Sequence, residues 1–589
     1  MKKSTKIILI VAGALAIIPI GRTVYQRIDH QRLLHALKEE RVQTIPAKRG
    51  DIYDCEGNLI ATSEPFYEIR LDCMTIESPE LWEEKTLALA PKLAAMLPER
   101  TATEWWAYLQ DGREKEKRYL KIAKDVTPQK KDSIAKLPLF DMPSLVGGAI
   151  YERYDKRCYP YDSLALRAIG YVRGGKKRVG VEARYDSLLS GQNGSKTVRS
   201  GWYKGKRQHL VTRHIEPEGG ADAMITLSMP MQALADSALR AGIGEDMDIA
   251  SGCVVVMEVA TGAIRAMVNL SRGTMPYDSD RLWERYNDAI AHSYEPGEIL
   301  QTMTLASVFR DGHLHSLSTK MPTSHGIIPY MSQDARLTNY ERQFKTDSIS
   351  VLDAFAISSH YGMARLATDA YEESTKYYAT GLRHFCLPAK TDIGIEGLGE
   401  VDITNPEGVY WNDSTLSCMA NGKCITMVPM DILSFYNTIA NKGQMVQPYL
   451  LEKAWTGSDT LFCHNHNGNI LKEDILSSSV ADSLTRALVA VTESGTGTRL
   501  RDARYPVAGK TGTSKQVMRV STDETGHPLD PYCDEEGRFQ TAATYAGFFP
   551  AESPRYSIIC VLYSRPCYMT YYGGSLPALI VKDIVNGIK

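Results

Sequence analysis

The run Glu295-Pro-Gly-Glu-Ile-Leu-Gln-Thr-Met-Thr-Leu-Ala306 opens on a Pro-Gly pair that suits entry into a helix. Ile299, Met303 and Ala306 then recur at four- and three-residue steps, which predicts one helix face turned into a core. Glu298 and Gln301 stand three apart at the start of that helix, so their side chains lie on one face, one turn apart.

C-terminal to this helix, Tyr556-Ser-Ile-Ile-Cys-Val-Leu-Tyr563 reads as a buried strand and Leu579 to Ile588 as a closing helix. Before it, Met229 to Ala241 reads as a helix. Cys253-Val-Val-Val-Met-Glu258 and Ala263-Ile-Arg-Ala-Met-Val268 form a hairpin around Ala260-Thr-Gly262. Helices alternating with such strands imply an α/β sandwich with helices on the sheet. From residue 45 to about 225 the chain mixes short strand-like runs, a helical stretch near Leu81 to Leu97 and turns such as Gly174 to Lys177, an irregular α+β region. No tandem repeat or low-complexity tract interrupts the chain.

The 589 residues suffice for two or three domains. A formal net charge of -2 gives no global attraction to nucleic acid or to anionic lipid. At the N-terminus Lys2, Lys3 and Lys6 precede an uncharged apolar run, Ile7 to Ile20, closed by Gly21 and Arg22. Such a run reaches only about 21 Å as a helix, so spanning the ~30 Å hydrocarbon core requires Lys6 and Arg22 to snorkel. A cleaved signal peptide is the rival reading, but no small-x-small site follows and the chain continues into a polar, helix-favouring segment, Val24 to Val42. The expectation is an uncleaved anchor with its basic end cytoplasmic, which places everything after Arg22 outside the cytoplasmic membrane. Ile28, Leu34 and Leu37 predict a helix leading away from the bilayer, either packed on a membrane partner or a solvated spacer. The eleven cysteines contain no C-x-x-C pair. Cys463, His464 and His466 lack a second half at finger spacing, so no metal and no cofactor is expected.

Three stretches resemble the signature of the serine penicillin-binding proteins. Glu295 to Ala306 is similar to the family's E-P-G-S-T-F-K followed by T-M-T-L-A. Ser358-Ser-His-Tyr-Gly-Met-Ala-Arg365 resembles S-S-N-V-G-M-A-R, and Val507-Ala-Gly-Lys-Thr-Gly-Thr513 matches the K-T-G strand. Arg49-Gly-Asp-Ile-Tyr-Asp-Cys-Glu-Gly-Asn-Leu-Ile-Ala61 resembles the opening of the family's pedestal, with Cys55 replacing an arginine. Ser494-Gly-Thr-Gly-Thr498, Tyr545-Ala-Gly-Phe-Phe-Pro-Ala551 and Tyr571-Tyr-Gly-Gly574 resemble the division-type, or FtsI-type, members of class B. The resemblance implies a cytoplasmic tail (1–6), a transmembrane anchor (7–22), a juxtamembrane helix with a pedestal domain of dimerisation type (23–225) and a penicillin-binding, serine β-lactamase-like transpeptidase domain (226–589). It also implies a bacterial inner-membrane, single-pass protein with most of the chain periplasmic. The implied partners are a SEDS-type glycan polymerase, divisome membrane proteins and the peptidoglycan stem peptide.

The contents of the slots depart from the family. Acyl transfer from a D-Ala-D-Ala stem needs a nucleophile, a base and donors for the tetrahedral oxyanion. Glu298 stands in the serine slot, Gln301 in the lysine slot and His360 in that of the second-triad asparagine. A carboxylate is a far poorer acyl nucleophile here, and a carboxamide accepts no proton usefully at neutral pH. Lys510, Thr511, Gly512 and Thr513 persist, either for structure or for binding the carboxylate of a peptide or β-lactam. Across the cleft Glu298 is expected to pair with Lys510 and close the site with a salt bridge. His360 either joins this cluster or is a satisfied hydrogen-bonder beside Ser358. The expected function is a pseudo-transpeptidase acting through protein contacts in septal wall synthesis. The alternatives are a residual D,D-transpeptidase or carboxypeptidase, and a non-covalent stem-peptide or β-lactam binding module.

Overall fold

Cys253 to Met257 is buried on both sides of its strand, and the reason is visible in the layers around it. The computed structural model describes residues 26–588 apart from 174–176, 205, 245, 274–280, 329–331, 389–390, 466–468 and 519–529. Contacts divide the chain into two units. One comprises residues up to Gly50, Thr62–Cys158 and Ser187–Ala221, the other Asp51–Ala61, Tyr159–Asp186 and everything from Asp222.

In the second unit α1 (Met229–Ile243) precedes β1 (Ile249–Glu258), β2 (Ile264–Arg272) and β3 (Leu282–Trp283). Then come α2 (Gln301–Arg310), α3 (Ala335–Phe344), α4 (His360–Tyr371), α5 (Pro429–Ala440) and α6 (Ser478–Glu493). β4 (Ala508–Lys515), β5 (Thr541–Phe549), β6 (Tyr556–Ser564) and α7 (Leu576–Gly587) close the chain. The sheet runs β3-β2-β1-β6-β5-β4 and every pairing in it is antiparallel. The expected hairpin is β1–β2, with Val254 opposite Val268 and Gly262 at φ +79° in its turn.

An antiparallel sheet often keeps one face wet; this one is covered on both. α1 and α7 pack on one side, where Ala235, Leu239, Ile580 and Ile584 join Val254, Val256, Val268, Cys560 and Leu562 in a single core. α5, buried along its whole length, packs on β5 and β6 from the other side, and α6 on β4. That double cover is why the strands read as continuous apolar runs.

In the first unit the strand Leu59–Leu71, from Thr62 onward, pairs antiparallel with Ala149–Cys158 and Leu120–Val126. Pro79–Met96, capped by Ser78, supplies the helix expected near Leu81 to Leu97. Its Trp82, Leu89 and Leu93 share a core with Trp105 and Leu109 of the next helix. The helical reading of Val24 to Val42 is corrected in its second half. Residues 26–36 are helical, but Glu39–Ile45 is a strand paired with Gly194–Tyr203, Arg41 lying opposite Val198. Sheet pairing overrides the helical propensity of the Glu-Glu-Arg start.

The tail and anchor expected over 1–22 lie outside the described residues, as do Gly174 to Lys176 of the expected turn and His466. Among the described residues no helix is long and apolar enough to cross a membrane. No group of three or more His, Cys, Asp or Glu among them is placed to hold a metal ion.

Candidate functional site

The helix entry read from Pro296 and Gly297 is a 3-10 turn, Gly297–Leu300, running directly into α2. Gly297 sits at φ +61°, in the left-handed region that favours glycine. Ile299, Met303 and Ala306 are buried, as their spacing predicts. The strand β4 passes so close that a Cβ on Gly512 would lie 2.5 Å from Ile299 Cγ1 and 2.7 Å from the Pro296 carbonyl oxygen. The glycine of the K-T-G run is therefore a packing requirement of the slot. Gly512→Ala is expected to cost about 1–3 kcal/mol through overpacking, read as a lower urea midpoint.

Glu298 is only 3 % exposed and its carboxylate is fully engaged. Oε1 accepts from Arg336 Nη2 at 2.9 Å and from His360 Nε2 at 3.1 Å, and Oε2 accepts the backbone N–H of Thr513 at 2.7 Å. Burial alone pushes such a carboxyl up. The hydrogen bond from His360 and the positive fields of Arg336 and Lys510 outweigh it and hold Glu298 well below the usual carboxylate range. It is thus an anion at every pH near neutrality. Arg336 also donates from Nη1 to the Ser358 carbonyl at 2.7 Å. Asp334 caps the start of α3 and accepts from the Ser359 hydroxyl and the Tyr361 N–H, tying the arginine's helix to the Ser358–His360 turn.

The expected salt bridge between Glu298 and Lys510 is corrected. Lys510 is fully buried and its Nζ donates to Ser358 Oγ at 2.6 Å and to the Thr511 carbonyl at 3.1 Å. The direct ion pairs of Glu298 are with Arg336 and His360; Lys510 reaches it only through its field. The guanidinium spans two acceptors at once, which a lysine point charge does not. Ser358 Oγ also meets Thr496 Oγ1 at 3.2 Å, and Thr496 Oγ1 meets Thr511 Oγ1 at 2.6 Å, so Lys510, Ser358, Thr496 and Thr511 form one hydroxyl chain beneath the slot. Thr513 donates its backbone N–H to Glu298, and its hydroxyl oxygen accepts the Gly573 N–H.

Burial lowers Lys510 to about 7, against the opposing field of Glu298. A lysine depressed from 10.5 in the fold binds its proton less well there than in the unfolded chain, so its burial penalty is absent above pH 10.5, grows as pH falls, and is complete below about 7. Wild type should therefore gain stability relative to Lys510→Met as pH rises from 7 to 10, measured as a rise of its urea midpoint relative to that of the variant.

Gln301 fills the base slot with no basic atom. Its Nε2 donates to Asn421 Oδ1 at 2.9 Å, while its buried Oε1 has no hydrogen-bond partner among the described residues. Asn421 in turn donates to the carbonyls of His360 and Ser417. Arg336, Asn421 and Asp334 are the residues that sequence reasoning missed. Asp334 carried the signal of a helix cap, and Thr496 lay inside Ser494-Gly-Thr-Gly-Thr498. For Arg336 no local pattern indicated the carboxylate it meets. Above the cluster opens a cavity of about 260 Å³ lined by Glu298, Arg336, His360, Lys423, Lys515 and Tyr572, among others.

The slot is thus framed by a sheet covered on both faces, a helix that starts against its edge strand and the Lys510–Ser358 contact. Residues 252–586 match the family model of the penicillin binding protein transpeptidase domain, and residues 44–223 that of the penicillin-binding protein dimerisation domain. The chain belongs to the class B penicillin-binding proteins, division type. It is 25% identical to the probable peptidoglycan D,D-transpeptidase PenA of Neisseria meningitidis serogroup A, over 93% of this chain and 85% of that protein. It is 23% identical to the peptidoglycan D,D-transpeptidase FtsI of Escherichia coli K12, over 94% and 85%. In fold it is similar to penicillin binding protein 2X from Streptococcus thermophilus, with a TM-score of 0.66 at 20% identity over 93% of this chain and 79% of that one.

Proposed function

We propose that this chain is a non-catalytic class B penicillin-binding protein that acts in septal peptidoglycan synthesis through protein contacts. In this reading residues 7–22 anchor it in the cytoplasmic membrane, the bulk is extracytoplasmic, and its partners are a SEDS-type glycan polymerase and divisome membrane proteins. The observation that carries the reading is Glu298. A buried carboxylate held by Arg336, His360 and the Thr513 N–H occupies the nucleophile's place and takes a backbone donor of the kind an oxyanion needs. The base slot beside it offers only a carboxamide. The names of PenA and FtsI support the pathway, and the occupied slot supports loss of the chemistry. Full-length protein co-expressed with the glycan polymerase should co-purify with it in detergent, equally for wild type and for Lys510→Met; failure of both to co-purify contradicts the assignment.

A second reading draws on the Ser358–Lys510 contact. An amine lowered to about 7 at 2.6 Å from a hydroxyl is a base–nucleophile pair of the type serine acyltransferases use, which favours a residual D,D-transpeptidase or carboxypeptidase. Ser358 is 1 % exposed, which weighs against substrate access. Mass spectrometry of penicillin-treated protein decides: an acyl group on Ser358 selects this reading and unmodified Ser358 rejects it.

A further inference from the structure

At the far edge of the sheet from the slot, β3 carries a surface that the slot does not use. The run Arg281-Leu-Trp-Glu-Arg-Tyr286 alternates across the strand. Leu282 packs against the core beneath α1 and α7 and Glu284 is 8 % exposed, whereas Arg281, Trp283 and Tyr286 are exposed and Arg285 is half-buried. The guanidiniums lie over the rings. Arg281 stands 5.4 Å and Arg285 6.0 Å from the Trp283 centroid, and Arg285 stands 5.6 Å from that of Tyr286. The short helix Leu166–Ile169 adds a third arginine. Arg167 donates its N–H to Glu284 Oε2 at 2.7 Å and its Nε to the Glu284 carbonyl at 3.3 Å, with its guanidinium 5.9 Å from the Tyr171 centroid.

This patch lacks compensating negative charge. Among the described residues the Arg281 and Arg285 guanidiniums touch rings and form no ion pair. Two neighbouring carboxyls do not supply one. Asp236 of α1 holds Arg240 at 2.6 Å, and Arg240 in turn donates to the Leu282 carbonyl at 2.9 Å. Burial pushes the Glu284 carboxyl up to about 8, and its buried Oε1 has no hydrogen-bond partner among the described residues, so at pH 7 it is predominantly protonated and leaves the arginines uncompensated.

The residue types say what fits. Arginine, tryptophan and tyrosine are enriched at the centres of protein–protein interfaces, where lysine is depleted. Neutralising a phosphate polymer needs cations but no exposed rings. A guanidinium fork donates two parallel bonds to a carboxylate, and the ring beneath it leaves an apolar face for the side chain next to that carboxylate. The Leu282 and Glu284 carbonyls are already taken by Arg240 and Arg167, so docking runs through side chains and not through an added strand.

We propose that Arg281, Trp283, Arg285 and Tyr286, with Arg167 and Tyr171 beside them, are a docking surface for an acidic segment of a protein partner, its carboxylates on the guanidiniums and its apolar side chains on the rings. β3 and the slot strand β4 are opposite edges of one sheet, so this surface stands whether or not the slot is inert.

The test uses the full-length protein in detergent and a short fluorescein-labelled peptide of alternating glutamate and leucine, read by fluorescence anisotropy against protein-free micelles. The peptide should bind saturably, and more weakly as salt is raised; the matching peptide of alternating lysine and leucine should not bind. Arg281→Ala with Arg285→Ala, and separately Trp283→Ala, should each weaken binding by about tenfold or more at an unchanged urea midpoint. Arg281→Lys with Arg285→Lys, which keeps the charge, should still lose binding several-fold because the fork is gone. The Glu298→Ser, Gln301→Lys chain should bind as wild type does. No binding of the acidic peptide, or equal binding by the Arg281→Ala, Arg285→Ala protein, overturns the proposal. Inorganic polyphosphate that binds more tightly than the peptide, and equally to wild type and Trp283→Ala, overturns it in favour of a phosphate polymer.

Discussion

Replacing Glu298 by Ser and Gln301 by Lys in the same chain is expected to convert a protein that takes no covalent label from a fluorescent penicillin into one that does. The structure gives three reasons. The hydroxyl would stand on the second residue of the 3-10 turn and the amine on the first residue of α2, one turn apart and within mutual reach. Asn421 Oδ1, which now accepts from Gln301 at 2.9 Å, would accept from the new ammonium. The Thr513 N–H, now taken by Glu298 Oε2, would be free to meet the oxyanion. The hydroxyl chain through Lys510, Ser358, Thr496 and Thr511 needs no change. A gain on the order of a hundredfold or more in acylation rate is expected for the double variant, with Glu298→Ser alone gaining far less because it lacks the base. No gain in the double variant would show that His360 and Arg336, left without their carboxylate, block the site by themselves.

Arg336→Met is expected to destabilise the protein by about 2–4 kcal/mol at pH 7, because it leaves a buried carboxylate short of its guanidinium partner. The sign of the pH dependence follows from the direction of the Glu298 shift. A carboxyl held below its unfolded value of 4.5 contributes stability that is present above pH 4.5 and is lost as pH falls through the lower folded value. The difference between wild type and Arg336→Met should therefore be full at pH 7 and narrow below pH 4.5, where Glu298 begins to protonate in the variant and needs no cation. Urea unfolding at pH 7 and pH 3.5 measures it; a difference independent of pH would mean that Arg336 acts by packing and not through the carboxylate. Glu298→Gln in the Arg336→Met background should recover part of the loss at pH 7, since a neutral amide does not require the missing charge.

The fold was legible where hydrophobic pattern and turn chemistry agreed. The β1–β2 hairpin, the strand at Tyr556 and the helices at Met229 and Leu81 declared themselves by apolar runs or helical spacing bounded by glycine or a serine cap. Val24 to Val42 did not, because a polar segment with good helix formers becomes a strand once Gly194–Tyr203 lies beside it, and no local signal announces a partner some 150 residues away. The site divides the same way. Its slots were readable through the resemblance to the family's motifs, which Pro296, Gly297, Met303 and the Lys510–Thr513 run keep; packing demands the glycine there, since a Cβ at Gly512 would collide with Ile299 and Pro296. What fills the space between the slots was not readable. The cation for Glu298 comes from the second residue of α3, aligned through Asp334 and the Ser358–His360 turn, and Lys510 is claimed by the Ser358 hydroxyl that lies closer. Long-range pairing of charges depends on which side chain arrives with the better geometry, and sequence spacing does not encode that.

The consequence for function is that the site is filled by its own anion. In the function we propose, Glu298 takes the same donor and the same positive field that would otherwise serve an acyl intermediate, and the inert state needs no further component. The most direct measurement is the mass of the intact wild-type protein after prolonged incubation with benzylpenicillin, followed by denaturation. The account predicts an unchanged mass. A stoichiometric gain of one penicilloyl group would contradict it, wherever in the chain the group is found.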